Sequence, residues 1–276
     1  MYLIVDIESN TDRQRLLRTY PWRGRFNGTE DEVMRQILEE ICKVVLKDPL
    51  APPTVDCFIP ARYQSPNTIV ALLVDRQMEY QGHWILDQRT PGGTPDVKAI
   101  TEAFWSLVTW GIRDRGAAAV TFNGLGFDFP LMEVCGLEHG TDMRVWFPEE
   151  NRFWTDPRGV GATKVHIDLY SHLAGKTKVG GSLDWWAKLA GLPGKLDSHG
   201  DDVKSMLERV GGGAEIADYC TCDVLNTYGL LYRTLWNQRL VAQDWRGATF
   251  DRTMTAMAAG RGKEVTRFIE QINPST

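Results

Sequence analysis

The stretch Met1-Tyr-Leu-Ile-Val-Asp6-Ile-Glu8-Ser9-Asn10 decides how the rest of the chain is read. An apolar, β-prone run leads straight into Asp6 and Glu8. Residues two apart in a strand point to the same side, so both carboxylates project together from the strand end. At about 5 Å two carboxylates repel by roughly 1 kcal/mol in water and by several times that in a half-buried cleft. A chain that keeps such a pair usually holds a cation between them. An Asp-x-Glu of this kind also occurs where a buried strand simply emerges into solvent, so what matters is whether other acids join it.

Working outward, residues 11–28 interleave Arg13, Arg15, Arg18, Arg23 and Arg25 with Tyr20, Trp22 and Phe26. That mixture suits either a grip on single-stranded nucleic acid or a solvated basic loop or helix face. Thr29 and Glu32 form a capping box for a helix carrying Val33, Ile37, Ile41 and Val45. The proline-rich segment 49–66 reads as a connecting loop. Residues 68–74 and 79–86 read as successive strands, and Thr94-Pro-Asp96 opens a helix with Ile100, Phe104, Leu107 and Val108 inward. A short apolar strand at 117–122 runs into Asn123-Gly-Leu-Gly-Phe-Asp128-Phe-Pro130 and a further helix. After an irregular loop over 140–163, Lys164–Leu169 reads as the last strand. Helices are then expected from Ser182 to Gly191, from Asp201 to Gly211, over 214–237, and twice more near the end. Early strands, alternating elements and a helical tail predict an α/β fold, a mixed sheet with helices on both faces.

A chain of 276 residues with 43% hydrophobic composition can bury a full core. Without a basic leader or some twenty consecutive apolar residues, a signal peptide or membrane span is not expected, and the protein is expected to be cytoplasmic. Five cysteines without framework spacing then fit reduced thiols. The net charge of −5 argues against a protein that coats nucleic acid through a broad basic field, though not against an enzyme that holds a chain end.

Other acids do appear. Asp128 follows the strand at 117–122, where it fits an N-cap of the next helix as well as an acid of a site, and the two roles can coexist. Asp223 lies four residues after Tyr219 on the helix of 214–237, so the two share a face. A phenol with an ordinary pKa near 10 is a poor base at neutral pH, but it can aim a water. Asp168 beside His166 reads as a hydrogen-bonded pair at a sheet edge or as an auxiliary acid. His83, His139, His172 and His199 show no metal-ligand spacing, and Lys176 and Lys178 read as a solvated loop that could touch a phosphate backbone.

Together Val5-Asp6-Ile7-Glu8, Asn123-Gly-Leu-Gly-Phe127-Asp128-Phe-Pro130 and Tyr219-Cys-Thr-Cys-Asp223 resemble, in order, the three motifs of the DEDD superfamily of 3′-to-5′ exonucleases. The pattern from Asn123 to Pro130 is most similar to the proofreading domains of family B DNA polymerases, and the whole chain resembles stand-alone exonucleases related to them. Members that use histidine carry it five residues before the last aspartate. Here that position is Asp218, and Tyr219 follows, so the chain resembles the DEDDy type. The resemblance covers roughly residues 1–235. It implies a ribonuclease H-like exonuclease domain over 1–240, with 241–276 as a helical extension packed on it.

The resemblance further implies that Asp6, Glu8, Asp128 and Asp223 hold two Mg²⁺ or Mn²⁺ ions and that Tyr219 orients the attacking water. Ser9 and Asn123 would contact the terminal nucleotide. The expected activity is release of nucleoside 5′-monophosphates from the 3′ end of single-stranded nucleic acid, DNA in the first instance. An RNA 3′-trimming enzyme and a non-catalytic binding module on the same fold are the rivals. Protein partners are not indicated.

Overall fold

The computed structural model describes residues 1–46, 57, 59–147, 165–175, 180–196, 206 and 212–272. The expected helix at 201–211, apart from Met206, and the expectations for Lys164, Lys176, Lys178 and His199 fall outside these residues. At the centre lies strand β1 (Tyr2–Thr11), flanked on one side by β2 (Gln64–Val74) and β3 (Tyr80–Leu86) and on the other by β4 (Ala118–Thr121) and β5 (His166–Asp168). The order is β3-β2-β1-β4-β5, antiparallel from β3 to β1 and parallel from β1 to β5. This is the mixed, helix-flanked α/β sheet of a ribonuclease H-like fold.

Alternation along β1 sorts its side chains between two cores. Leu3, Val5 and Ile7 join Ile69, Ala71 and Leu73 of β2 beneath helices α3 (Val97–Arg113) and α4 (Asp128–His139). Ile4 and, across from it, Val70 and Leu72 face the long helix α7 (Gly212–Asn237), with α8 (Ala248–Ala258) and α9 (Lys263–Ile272) completing that layer. Each large apolar side chain withdrawn here contributes roughly 1.5–3 kcal/mol. Asp6 and Glu8 continue the Ile4 side, so they emerge on the face that α7 crosses. The short helices α5 (Leu169–Ala174) and α6 (Leu183–Leu189) bridge β5 to α7, and Ser182 caps α6 as expected by accepting the Trp185 N–H.

The basic segment forms helix α1 (Arg13–Thr19), which packs with α2 (Glu30–Leu46) around Leu16, Tyr20, Val33 and Ile37. The Thr29–Glu32 capping box is present, with Glu32 Oε2 accepting the Thr29 N–H at 2.7 Å. Of the arginines that suit either a nucleic-acid grip or a solvated face, one is internal and two more are held in ion pairs. Arg15 is buried and donates to Glu138 of α4 at 2.5 Å, Arg18 joins the same carboxylate, and Arg13 pairs with Asp31. Arg25 lies over the exposed Trp22 ring.

Three expectations need correction. The loop expected through Pro66 gives way to strand at Gln64, because the register shifts between Glu8 and Ser9 and the β-bulge accommodates a proline that the regular ladder would reject. The thiols are not all reduced, since Cys42 at the end of α2 is disulfide-bonded to Cys57. The last strand is only His166–Asp168, because Asp168 caps α5 by accepting the Ser171 N–H. Among the described residues no helix is long and apolar enough to cross a membrane.

Candidate active site

Four acids from three distant segments meet on the α7 face of the sheet. Asp6 and Glu8 come from adjacent same-side positions of β1, Asp128 from the first turn of α4, and Asp223 from the middle of α7. Each is withdrawn from water. Burial first, then the charges of Asp223 and Asp128, raise the Asp6 carboxyl well above its ordinary range. Glu8 is raised in the same way, by burial and then by Asp6 and Asp223. Burial raises Asp128 to about 7, although the backbone N–H groups of Asp128 itself and of Ile7 oppose the rise.

Asp128 does not take the capping role considered for it. The N-cap position of α4 is Phe127, with no side-chain cap, and the Asp128 carboxylate instead feels its own backbone N–H and that of Ile7, between Asp6 and Glu8. The loop that delivers it is held by Asp168, whose two carboxylate oxygens accept the Asn123 N–H at 3.0 Å and the Leu125 N–H at 2.9 Å. His166, the expected partner of Asp168, bonds Thr121 instead. Asn123 sits at φ 63°, a left-handed conformation that Asn tolerates. Gly124 is needed for close approach, since a Cβ there would lie 2.2 Å from the Thr121 hydroxyl.

On α7, Tyr219 and Asp223 do share a face. The buried phenol is raised above its ordinary value, by burial and then by Asp223, Glu8 and Asp6, so it stays protonated. Asp218 turns elsewhere, its carboxylate accepting the Gly262 N–H. The Cys220 thiol donates to the Asp6 carbonyl and carboxylate at 3.3 and 3.4 Å.

Sequence reasoning missed Lys195. Its ammonium lies 3.5 Å from Asp223, donates to the Tyr219 hydroxyl, and sits 4.9 Å from that ring's centroid. Burial works against its charge, but Asp223, Glu8 and Asp6 more than compensate and raise its pKa. The residue arrives on the turn Leu192-Pro-Gly-Lys195. Asn226 of α7 pins this turn by exchanging two hydrogen bonds with Gly194, and Asp184 accepts the Lys195 N–H at 2.7 Å. The Pro-Gly pair signalled a turn, but nothing in the sequence says where a turn points. Ser9, expected to meet a nucleotide, donates its hydroxyl to Gln64 at 2.6 Å, while Asn123 is exposed at the rim of the loop.

The donor set fits hard divalent cations. Oxygen atoms dominate it, and Asp6, Glu8 and Cys220 present atoms within 4.8 Å of one another. The thiol is no ligand in this arrangement, since burial and the neighbouring acids hold its pKa well above the ordinary value and its proton is donated to Asp6.

Comparison with known families gives one match. A family model described as "Predicted 3'-5' exonuclease related to the exonuclease domain of PolB" matches residues 56–272. The match begins beyond β1 and so leaves out Asp6 and Glu8, but it includes Asp128, Tyr219 and Asp223. It also runs through α8 and α9, further than the expected limit near residue 235. No curated protein matches the chain. With most of its length inside that match and the sheet order described above, the chain belongs to the family of predicted 3′-5′ exonucleases related to the exonuclease domain of PolB.

Proposed function

We propose that the chain removes nucleoside 5′-monophosphates from the 3′ end of single-stranded DNA, using Asp6, Glu8, Asp128 and Asp223 to hold two Mg²⁺ or Mn²⁺ ions in the DEDDy manner. The observation that carries this reading is the crowding of four carboxylates, three buried and Asp6 half-buried, whose charges disfavour one another. Such a site is tolerable when ionised only with compensating positive charge, and Lys195 alone leaves it net negative. Divalent ions bound there would acidify a water and neutralise charge on the scissile phosphate and the departing 3′ oxygen. The protein's own groups do the positioning. Because Lys195 donates to the Tyr219 oxygen, the phenolic proton remains to donate to the attacking water and fix its approach. Cys220 orients the Asp6 carboxylate, and Asp168 holds the loop that presents Asp128. DNA is preferred over RNA because the family's stated relation is to the exonuclease domain of PolB.

A 5′-labelled oligonucleotide incubated with the protein and Mg²⁺ or Mn²⁺ should shorten from its 3′ end, and EDTA should stop it. Parallel DNA and RNA strands of one sequence decide the sugar preference, since the 2′-hydroxyl is what a terminal-nucleotide pocket senses. Asp6→Ala, Asp128→Ala and Asp223→Ala should each abolish shortening, and Tyr219→Phe should leave residual activity. Absence of shortening on both strands, or full activity in the Asp223→Ala protein, would reject the reading.

A further inference from the structure

Beyond the acids, one cation at the edge of this cleft, Arg89, forms no ion pair among the described residues and has only the exposed Asp87 as a nearby opposite charge. Arg89 lies in the connection between β3 and α3, where its backbone bridges to Pro95 and the flanking Asp96 N–H bonds Gln88, so its position is fixed by a closed loop. Its guanidinium donates to the Thr68 hydroxyl at 3.3 Å. Thr68 is fully buried and is the cross-strand partner of Glu8, on the same face as the acids.

On its other side the guanidinium leans on the first turn of α7. A Cβ at Gly213 would come within 3.2 Å of it, so glycine there leaves it room. Neither neighbour balances its charge: Thr68 is neutral, and the N-terminal end of a helix is itself partially positive. Among the described residues no carboxylate forms an ion pair with Arg89, although the side chain is half withdrawn from water and burial lowers its pKa against the opposing charge of Asp87 two residues before it. A planar fork of N–H donors, one weakly used and the rest unspent, matches the oxygens of a phosphodiester.

We propose that Arg89 binds a backbone phosphate of the nucleic-acid strand upstream of the scissile linkage, forming a subsite that fixes how the strand enters the acid cleft. This rests on the exonuclease reading for the identity of the strand, but the anion-binding chemistry is separate from hydrolysis. Four carboxylates repel an incoming polyanion, and a guanidinium bonded to the cross-strand partner of Glu8 supplies attraction beside them. Its role is substrate positioning.

The test is fluorescence anisotropy with a 5′-labelled single-stranded oligonucleotide and Ca²⁺, run on the full-length protein and on Arg89→Gln over a salt series, with 3′ shortening in Mn²⁺ measured in parallel. Loss of one phosphate contact should weaken binding about tenfold at low salt and flatten the slope of log affinity against log salt by about 0.7. Arg89→Lys should recover part of the affinity. In the shortening assay KM should rise with kcat held within about twofold. A single methylphosphonate walked along the strand should weaken the wild-type protein at one internal linkage and leave Arg89→Gln indifferent to that linkage.

Equal affinity, equal salt slope and the same methylphosphonate profile in both proteins would overturn the proposal while leaving the exonuclease reading intact. Arg89-dependent binding without any shortening would support the subsite and count against the nuclease. If the wild-type protein neither binds nor shortens the strand, both fail. Unchanged thermal stability of Arg89→Gln excludes a folding defect as the source of weaker binding.

Discussion

Without metal, the acid cluster should make the protein less stable at neutral pH than at mildly acidic pH. The Asp128 carboxyl moves from an ordinary value of 3.8 to about 7 on folding. At about 1.4 kcal/mol per pH unit, keeping that group ionised in the folded state costs on the order of 4 kcal/mol. Asp6 and Glu8 are displaced in the same direction. For a group whose folded pKa is raised above its unfolded one by burial of an acid, the folded state holds more protons between the two values. Stability therefore falls as pH rises through that window and levels off above the folded pKa. The carboxylates of Glu79, Glu138 and Asp184 are lowered by partners and contribute with the opposite sign, but only below the usual carboxylate range, so by pH 5 their contribution is complete. His83 is lowered by burial and also opposes the trend up to its unfolded value of 6.5, so His83→Gln removes it.

The assay is thermal unfolding in EDTA between pH 5 and pH 8, repeated with Mn²⁺. Only the part of this cost that falls above pH 5, about 2.7 kcal/mol, is incurred over that interval, and a chain of this length moves by roughly 2 °C per kcal/mol, so Tm should drop by about 5 °C from Asp128 alone. Mn²⁺ binds the ionised carboxylates and should abolish or reverse the drop, contributing about 2.7 kcal/mol at a concentration one hundred times its Kd. Asp128→Asn cannot ionise and should flatten the EDTA profile. The reasoning is refuted by a flat EDTA profile in the wild-type protein, by an undiminished drop in Mn²⁺, or by an undiminished drop in Asp128→Asn.

Lys195→Met should lower metal-free stability at pH 8 by about 2 kcal/mol, because a partly buried ion pair loses its cation, and should enlarge the stabilisation by Mn²⁺. Calorimetric unfolding with and without the metal reads both, and an unchanged Mn²⁺ increment would contradict it. Asp168→Asn leaves the N–H of Asn123 or Leu125 without an acceptor, costing about 1–3 kcal/mol, and should reduce kcat while the oligonucleotide KM stays near its wild-type value. Reduction of Cys42–Cys57, which closes a separation of 15 residues, should cost about 3 kcal/mol and lower Tm by about 6 °C, with shortening activity retained at 25 °C. A thermal shift with and without dithiothreitol, and in Cys42→Ser, checks this, and coincident curves would refute it.

What the sequence made legible was periodic. Alternation put Asp6 and Glu8 on one side of β1, and helical spacing put Tyr219 and Asp223 on one side of α7. The Thr29–Glu32 box likewise marked the start of α2. What it hid depends on where irregular backbone points or on long-range pairing. Lys195 reaches the acids only because Asn226 pins Gly194, and Arg15 reads as a surface base until Glu138, 123 residues later, buries it. Cys42 and Cys57 lie in a helix and a loop with no spacing that marks them as a pair.

The last forty residues matter to the site for a related reason. Phe250, Met254, Val265 and Phe268 are buried in the core that backs α7, and Arg252 ties α8 to Glu79 before β3 at 2.5 Å. Immediately beside Tyr219, Asp218 takes the Gly262 N–H at the turn between α8 and α9, so tightly that a Cβ on Gly262 would lie 2.0 Å from the carboxylate. The helix bearing two of the site's side chains is therefore clamped between the sheet and the C-terminal helices. A helix held on one face alone could rotate by a fraction of a turn, and a shift of about 1 Å at the reacting groups can cost roughly a hundredfold in rate. The family match runs through residue 272 and so includes α8 and α9, the two helices that pack against α7 on the side away from the sheet.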